Sequence, residues 1–212
     1  MDPKKGATKK DYTSLGIKIA EKIDFDLSLD IYNWIVFLPS KENNVVPVAN
    51  RYFGTKKDGE IKIRGIETRR RDTPKFFKKC QLEILDIFSS CKTIADVKAS
   101  ITEAKLVQKK YQDILFSQKV SSDELIFVNR ITKGTDGHKT NTIQADAINQ
   151  LKWAGKLVEP GQKIQYIISN HSRKLSKRVI PKEIMNKDEC YDAKRYSELL
   201  DECCKTVIGP FE

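Results

Sequence analysis

The sequence predicts an α+β protein: the end of an antiparallel sheet with one helix, followed by a mainly helical part. In the first third of the chain apolar and polar residues alternate, as in residues 60–64, which is typical of half-buried strands. From Phe76 onward apolar residues recur every three or four positions, which is typical of amphipathic helices. We therefore predict a domain boundary between residues 1–72 and residues 73–212.

The first part is predicted to open with a helix. Helical spacing begins at Thr8 or Asp11. Residues 24–30 then alternate and predict a strand. Residues 31–38 are almost all apolar and predict a strand that is buried on both faces or covered by a partner surface, ended by Pro39.

A hairpin follows this strand. The turn Lys57-Asp58-Gly59 tolerates positive φ angles and predicts that residues 51–55 pair with residues 61–64. The alternation shifts by one residue at Gly65, which predicts a bulge or a close backbone approach. Pro74 ends the extended segment.

The second part is predicted to begin with a helix from Phe76 to Phe88. The next helix begins at Thr93 or Asp96 and either continues to Leu115 or breaks near Lys109. The remaining segments are, in order, a short strand or a turn of helix (120–132), a loop (133–141), a helix (142–154) closed by Gly155, a tight turn (159–161), a strand (163–169), a basic loop (171–178) and a last helix (192–207).

The charge of the chain predicts a polyanionic partner. The formal net charge is +10 and the pI is about 9.3, which favours nucleic acid. Charge alone does not choose among DNA, RNA and an acidic protein.

Cysteine usage and hydropathy predict a cytoplasmic, soluble protein. The five cysteines are odd in number, form no Cys-x-x-Cys pair and have no metal-ligand spacing from His138 or His171, so we predict reduced core thiols and no zinc site. The first residues lack the apolar core of a signal peptide, and no apolar run approaches membrane-spanning length, so no membrane partner is expected.

Arg69, Arg70 and Arg71 lie between a strand end and a helix start. Guanidinium groups can bind phosphate oxygens through two parallel hydrogen bonds. Asp72 is expected to cap the following helix or to orient one of these arginines, and Glu67 to pair with one of them. A run of arginines is also typical of a solvated face, and the run alone does not choose between the two interpretations.

The order of several short motifs resembles family B DNA polymerases, especially archaeal ones. Residues 50–54 (Asn-Arg-Tyr-Phe-Gly), 58–59 (Asp-Gly), 64–67 (Arg-Gly-Ile-Glu) and 70–72 (Arg-Arg-Asp) resemble the end of the palm domain of these enzymes. Residues 130–133 with Lys139, 145–155, 160–167 and 191–196 are similar to the thumb domain. The resemblance covers the chain from about Leu15 onward, and it depends on the order and spacing of motifs that are individually short.

The resemblance implies where this chain contacts DNA. The duplex is expected to lie against Arg51, Tyr52 and Arg64, with the three arginines of residues 69–71 near it. Lys133 and Lys139 supply further contacts from the thumb, and residues 171–177 a third set. The contacts are expected at phosphates and the minor-groove edge, because a polymerase holds every sequence alike. The alternative for Tyr52 is a core aromatic of the strand.

One departure from the family concerns the cations before Tyr52. A lysine-rich cluster precedes this tyrosine in the family, whereas Ala49 and Asn50 stand here, so Arg51 is the one cation left.

A second departure concerns catalysis. Family members carry catalytic aspartates in an Asp-Thr-Asp motif and in a motif with Ser-Leu-Tyr-Pro, and neither motif occurs in these 212 residues. Two-metal transfer needs clustered carboxylates. The resemblance therefore implies that this chain binds no cofactor alone and does not polymerise alone. Magnesium and dNTP are expected in the active site of a larger subunit, with Asp30 near the metals.

The resemblance also implies the partners of this chain. They are primer-template DNA, the larger polymerase subunit with the catalytic aspartates, and a sliding clamp, although residues 208–212 show no recognisable clamp-binding pattern. Residues 31–38 and the hairpin are expected to extend a sheet begun in the larger subunit, which leaves apolar area exposed in the isolated chain.

The first residue leads to the expectation that this chain is one subunit of a polymerase that is split into two polypeptides. The chain opens with Met1 where the second catalytic motif of the family would have ended, which favours the small, non-catalytic subunit of a split DNA polymerase. A fragment of a longer polymerase is equivalent at the sequence level. A freestanding basic nucleic-acid-binding module is the alternative function. A nuclease or ligase is disfavoured, because the scattered acids lack paired metal-ligand spacing.

Overall fold

The computed structural model describes Gly6 and residues 8–27, 29–40, 46–132, 142–172, 177–186 and 189–212. Within these ranges the chain forms six helices and two antiparallel three-stranded sheets, so the predicted α+β class is confirmed. The elements are α1 (Lys9–Ile23), β1 (Tyr32–Pro39), β2 (Pro47–Lys56), β3 (Ile61–Arg64), α2 (Lys75–Ser89), α3 (Ile94–Ala99), α4 (Ile101–Phe116), β4 (Phe127–Arg130), α5 (Ile143–Trp153), β5 (Lys163–Ile168), β6 (Val179–Pro181) and α6 (Ala193–Ile208).

The first sheet has the strand order β1-β2-β3 and contains the predicted hairpin. Tyr52 lies opposite Arg64 and Phe53 opposite Ile63. Because successive side chains point to opposite faces, Phe53 and Ile63 are buried while Tyr52 and Arg64 lie on the other face.

Gly65 follows β3 and makes the close backbone approach that its position predicts. Its φ angle is 65°, in the left-handed region, and a Cβ atom there would lie 2.4 Å from the Asn50 carbonyl oxygen. A side chain at this position would therefore disrupt the start of β2.

One strand prediction in the first part is wrong. Residues 24–30 do not form a strand in their described positions: Asp24 adopts φ 49° and ends α1, and the following residues are irregular. β1 is the strand predicted for residues 31–38. Trp34 and Leu38 are buried whereas Phe37 is half-exposed, so the strand is not buried on both faces in this chain, and coverage by a partner surface stays a prediction. α1 itself begins after Thr8 as predicted, and Thr8 and Asp11 form a capping box.

The second part has more strand than predicted. Residues 120–132 contain both alternatives, a 3-10 turn at Ser122–Glu124 and then β4. β5 is the predicted strand, and β6 lies directly after the predicted basic loop, so a second sheet with the order β4-β5-β6 forms. Within the described residues this part is still mainly helical, as predicted, because it contains five α-helices and only three short strands.

The helices of the second part agree better with the sequence. α2 buries one apolar side as predicted. The next helical segment breaks at Ser100, earlier than Lys109, because the Ser100 hydroxyl donates to the carbonyls of Asp96 and Val97 and ends α3. Gly155 follows α5 with φ 73°, which fits its predicted role at the helix end.

One buried apolar cluster runs from Trp34 to Phe211. α2 lies at its centre and packs against the first sheet, α4 and α6. The cluster continues across residue 72, and the domain boundary there stays a prediction.

The cysteines are unbridged, and four of them are buried as predicted. Cys190 is exposed, so the prediction of core thiols is wrong for this residue.

Candidate nucleic-acid interface

The three predicted arginines lie in a short segment before α2, which we call the arginine turn (residues 67–72). Arg69 and Arg71 are exposed and make no ion pair with any residue in the ranges given above. Arg70 instead binds the Asp72 carboxylate through both sides of its guanidinium, with 2.9 Å between Nε and Oδ1. This carboxylate raises the pKa of Arg70. Asp72 therefore orients an arginine and does not cap α2, whose N-cap is Pro74.

Gln81 of α2 fixes the arginine turn from the core. Its side chain is fully buried. Its Oε1 accepts from the Thr68 backbone N–H at 2.9 Å, and its Nε2 donates to Glu67 Oε2 at 3.2 Å and to the Cys203 carbonyl at 2.9 Å. One side chain thus connects the turn with α2 and α6. Sequence reasoning missed Gln81, although a polar residue within the apolar stripe of an amphipathic helix is a recognisable signal.

Arg51 is committed to contacts within the protein. Its Nη1 donates to the Pro39 carbonyl at 2.5 Å, and its Nη2 lies 4.0 Å from Glu67 Oε1. The side chain is only 15% exposed. Arg51 therefore joins the middle of β2 to the end of β1 and to the arginine turn, and its contact with DNA stays a prediction.

The sequence predicted that Glu67 pairs with one of the three arginines at 69–71. The structure instead directs its carboxylate at residues outside the arginine turn. Its contacts include Arg51 and Gln81, while its charge also raises the pKa of Arg70 through space. The burial of Glu67 explains the difference, since a buried carboxylate needs partners from the core side.

Tyr52 lies on the sheet face that points away from α2, so it is not a core aromatic. Its ring packs against Tyr32 and Phe37, with centroid distances of 6.5 and 5.4 Å. Burial, followed by the contact with Tyr52, raises the pKa of Tyr32. Arg64 is exposed directly opposite Tyr52 and, within the described ranges, has no ion-pair partner. A cation and aromatic rings thus share one solvent-facing surface.

Asp30 is neutralised by two lysines. It binds Lys62, and Lys56 Nζ lies 3.9 Å from its Oδ1. The hydrogen bond from Lys62 is the main cause that lowers the pKa of Asp30. Asp30 is therefore poorly suited to the metal contribution expected from the sequence. Nowhere in the described part of the chain do three acidic, histidine or cysteine side chains form a group that could hold a metal ion.

The predicted thumb contacts Lys133 and Lys139 lie outside the described residues, as do residues 173–176. The described positions beside them are cationic. Arg130 and Lys163 are exposed and lie directly opposite each other on β4 and β5. Like charges in register are unfavourable without a counterion, which makes this pair a candidate anion site that the sequence did not single out.

Arg178, the last residue of the predicted basic loop (171–178), is held by an ion pair. Arg178 Nε donates to Asp146 Oδ2 at 2.6 Å, and Asp146 is fully buried in α5. This ion pair fixes the segment that leads into β6.

Comparison with known proteins shows the family of this chain. The family model for DNA polymerase family B matches residues 47–207. The chain belongs to DNA polymerase family B, as the order of its motifs predicted.

The relatives are archaeal polymerases much longer than this chain. The chain is 29% identical over 194 residues to DNA polymerase 1 of Saccharolobus solfataricus, a match that covers 90% of this chain and 20% of the relative. It is 24% identical over 182 residues to the DNA polymerase of Archaeoglobus fulgidus, covering 86% of this chain and 21% of that protein. The chain thus spans about a fifth of the length of these curated relatives.

A solved structure shares the fold. The family B DNA polymerase from Pyrobaculum calidifontis superposes with a TM-score of 0.66 and 21% identity, covering 94% of this chain and 24% of that chain. Separately, none of the helices in the described ranges combines the length and apolar character needed to cross a membrane.

Proposed function

We propose that this chain is the DNA-holding, non-catalytic part of a family B DNA polymerase. In this proposal residues 1–72 are the end of the palm and residues 73–212 are the thumb. The chain holds primer-template duplex in the cytoplasm while a larger polypeptide with the catalytic aspartates joins nucleotides. The observation that carries the proposal is the arginine turn, which presents two exposed guanidinium groups on a buried hydrogen-bond network in a chain of this family.

The proposed contacts divide into groups that touch DNA and groups that position them. Arg69 and Arg71 bind phosphate oxygens, since their guanidinium groups have no protein carboxylate among the described residues. Arg64, beside Tyr52, faces the same duplex from the open sheet surface. Arg51 acts through the fold, because its own donors are directed at Pro39 and Glu67.

The second group of contacts is assigned to the second sheet. A phosphate bound between Arg130 and Lys163 relieves the repulsion between these two cations, which lie opposite each other on β4 and β5. Lys133 and Lys139 remain proposed contacts from the segment that follows Arg130. These contacts are made to the phosphate backbone of the DNA, so the chain binds duplexes of every base sequence with similar affinity.

Catalysis is assigned to the partner. Magnesium and dNTP bind in the active site of the larger polypeptide, because the family's aspartate motifs do not occur in these 212 residues and Asp30 is occupied by two lysines. Contact with a sliding clamp stays a prediction.

Primer extension tests the division of labour. The chain is assayed on a primed template with and without the polypeptide of the same organism that carries the Asp-Thr-Asp motif. We expect no synthesis by the chain alone and stimulated synthesis by the pair. Tight DNA binding without any stimulation would instead favour a freestanding nucleic-acid-binding module, and extension by the chain alone would contradict the proposal.

A charge-removal experiment tests the arginine turn. The double variant Arg69→Ala/Arg71→Ala should bind primer-template duplex about 1–3 kcal/mol more weakly, and the slope of log K against log salt should fall by about 2, since two phosphate contacts are lost. The control Lys98→Ala/Lys194→Ala removes the same charge from exposed positions elsewhere. An unchanged slope for the arginine variant, or an equal change in the control, would exclude the phosphate role.

A further inference from the structure

α1 and the segment after it expose an unusual amount of apolar surface. Leu15, Ile19 and Ile23 recur at helical spacing on one face of α1, and Phe25, Leu27 and Leu29 follow it. These six residues, which we call the apolar stripe, are 41–72% exposed, and Phe25 is the most exposed of them.

The apolar stripe is separate from the core. Neither the buried cluster nor the partly buried residues packed against it include any described residue of α1. A 15-residue helix is only marginally stable in water without tertiary contacts. Among the described residues, α1 therefore contributes no side chain to the apolar core, and the apolar stripe is left exposed.

The apolar stripe exposes more apolar area than single apolar side chains scattered over a protein surface do. Six apolar side chains exposed to this extent leave on the order of 500 Å² of apolar surface in water, near the upper range for the largest patch of a monomer. One side of a standard protein interface buries about 800 Å². The stripe can thus supply most of one side of a stable interface.

The comparisons indicate what covers the stripe. The superposition on the Pyrobaculum calidifontis polymerase covers 94% of this chain, and the remaining 6% of 212 residues is about 13 residues, too few to leave out all of residues 15–29. The stripe is therefore at least partly within a fold that makes up only 24% of a longer chain. The rest of that fold is the natural source of a complementary apolar surface.

The position of the stripe supports the same occupant. Residues 25–29 lead directly into β1, which pairs only with β2 among the described strands and so is a sheet edge. A polypeptide that extended the sheet at β1 would bind this chain close in sequence to the stripe. Lys18 and Lys22 are exposed and lie three positions after Leu15 and Ile19, so they border the stripe and favour an acidic rim on the partner.

We propose that the apolar stripe is the docking surface for the polypeptide that carries the remainder of the family B polymerase fold. This inference rests on the proposed function and adds to it the surface that joins the two chains. The expected partner surface is an apolar groove with acidic residues at its edge.

The test compares a stripe variant with a matched control. The variant Leu15→Gln/Ile19→Gln/Phe25→Gln changes three exposed side chains, and the control Leu106→Gln/Phe116→Gln changes two apolar residues of α4 that are 63% and 56% exposed. Affinity for the aspartate-carrying polypeptide of the same organism is measured by titration calorimetry, and duplex binding is measured separately. Circular dichroism checks that each variant folds.

We expect the stripe variant to bind the polypeptide on the order of 100-fold more weakly, with duplex affinity unchanged, while the control binds both like the unmodified chain. Equal binding of the polypeptide by the stripe variant would overturn the docking surface and leave the proposed function intact. If the unmodified chain does not bind the polypeptide, the docking proposal is overturned as well, and duplex binding then decides the DNA-holding role independently.

The same variants also test two other possible occupants of the apolar stripe. Stripe-dependent dimerisation of the chain alone in sedimentation, without binding of the polypeptide, would identify a second copy as the occupant. Stripe-dependent binding to anionic phospholipid vesicles, again without polypeptide binding, would identify a membrane surface. Either result would overturn the proposal.

Discussion

Replacing Gln81 by methionine should separate the arginine turn from the core. The two side chains have similar length and volume, so Gln81→Met leaves no large cavity. It removes the acceptor of the Thr68 N–H and the donors to Glu67 and to the Cys203 carbonyl. The Cys203 carbonyl lies within α6, where it can also accept a helical hydrogen bond. The uncompensated losses are therefore those at Thr68 and Glu67.

The magnitude follows from these two losses. A hydrogen bond to a charged carboxylate contributes about 1.5–3 kcal/mol, and an unsatisfied buried N–H costs about 1–3 kcal/mol. We expect a loss of about 3–5 kcal/mol in the free energy of unfolding. For a chain of this size 1 kcal/mol shifts Tm by about 2–4 °C, so thermal unfolding followed by circular dichroism should show a Tm lower by about 10 °C.

The same variant should weaken duplex binding well below its Tm. Arg69 and Arg71 would be less well positioned once Thr68 and Glu67 are released, so we expect affinity for a labelled primer-template duplex to fall by on the order of tenfold in fluorescence anisotropy. The control is Gln108→Met, which removes one hydrogen bond of 2.7 Å to Asp201 and should leave duplex affinity unchanged. An unchanged Tm for Gln81→Met would refute the stabilising network. A lower Tm with unchanged affinity would show that other contacts position the arginine turn.

Three further outcomes are expected. Gly65→Ala should lower stability to urea by more than about 2 kcal/mol, because its φ is positive and its Cβ would collide with the Asn50 carbonyl, whereas Gly16→Ala, which meets nothing within 4 Å, should increase the helical signal of α1. Asp72→Asn should release Arg70 for phosphate, so duplex affinity should rise and the salt slope should steepen by about 0.9; an unchanged slope would show that Arg70 does not reach DNA. Burial raises the pKa of the three buried tyrosines, Tyr166, Tyr191 and Tyr196, that of Tyr166 to about 12. The stability that they contribute is therefore complete below pH 10 and is lost as the pH rises through their folded pKa values. Absorbance at 295 nm should show these three tyrosines ionising only as the chain unfolds, and their ionisation in the folded chain would contradict their burial.

Local chemistry explains which elements could be predicted from the sequence. The hairpin was predictable because its turn residues and the alternation around them are adjacent in the chain. α2 and α6 were predictable because each buries one helical face. Residues 24–30 alternate between apolar and polar residues as a strand does. A strand also needs a neighbouring strand to pair with, and the local sequence pattern does not show whether one is present. β6 is only three residues long and depends on pairing with β5 and on the Gln150 side chain, which donates to the Val179 carbonyl at 2.6 Å.

The candidate site shows the same limit. The arginine run was visible in the sequence, and the pairing of Arg70 with Asp72 was one of the stated alternatives because the two residues are neighbours. The commitment of Arg51 was not visible, since its partners Pro39 and Glu67 come from other elements. Gln81 bonds to Cys203, which lies 122 residues later in the chain. Residues that touch a ligand can be suggested by composition, whereas residues that position them are set by contacts between distant segments.

Contacts between distant segments also decide how the candidate surface can move. After α6 a 3-10 turn brings Phe211 back to the first sheet, where its ring lies 6.1 Å from that of Phe53, 6.2 Å from Trp34 and 5.6 Å from Phe88 of α2. Trp34 also donates to the Cys91 carbonyl at 2.9 Å, so β1 is fixed to the loop after α2. The open face of the first sheet and the arginine turn are therefore attached to one packed core. A surface positioned in this way loses little conformational entropy when it binds a duplex, so its affinity depends on the packing around Phe211 as well as on the charges that face the DNA.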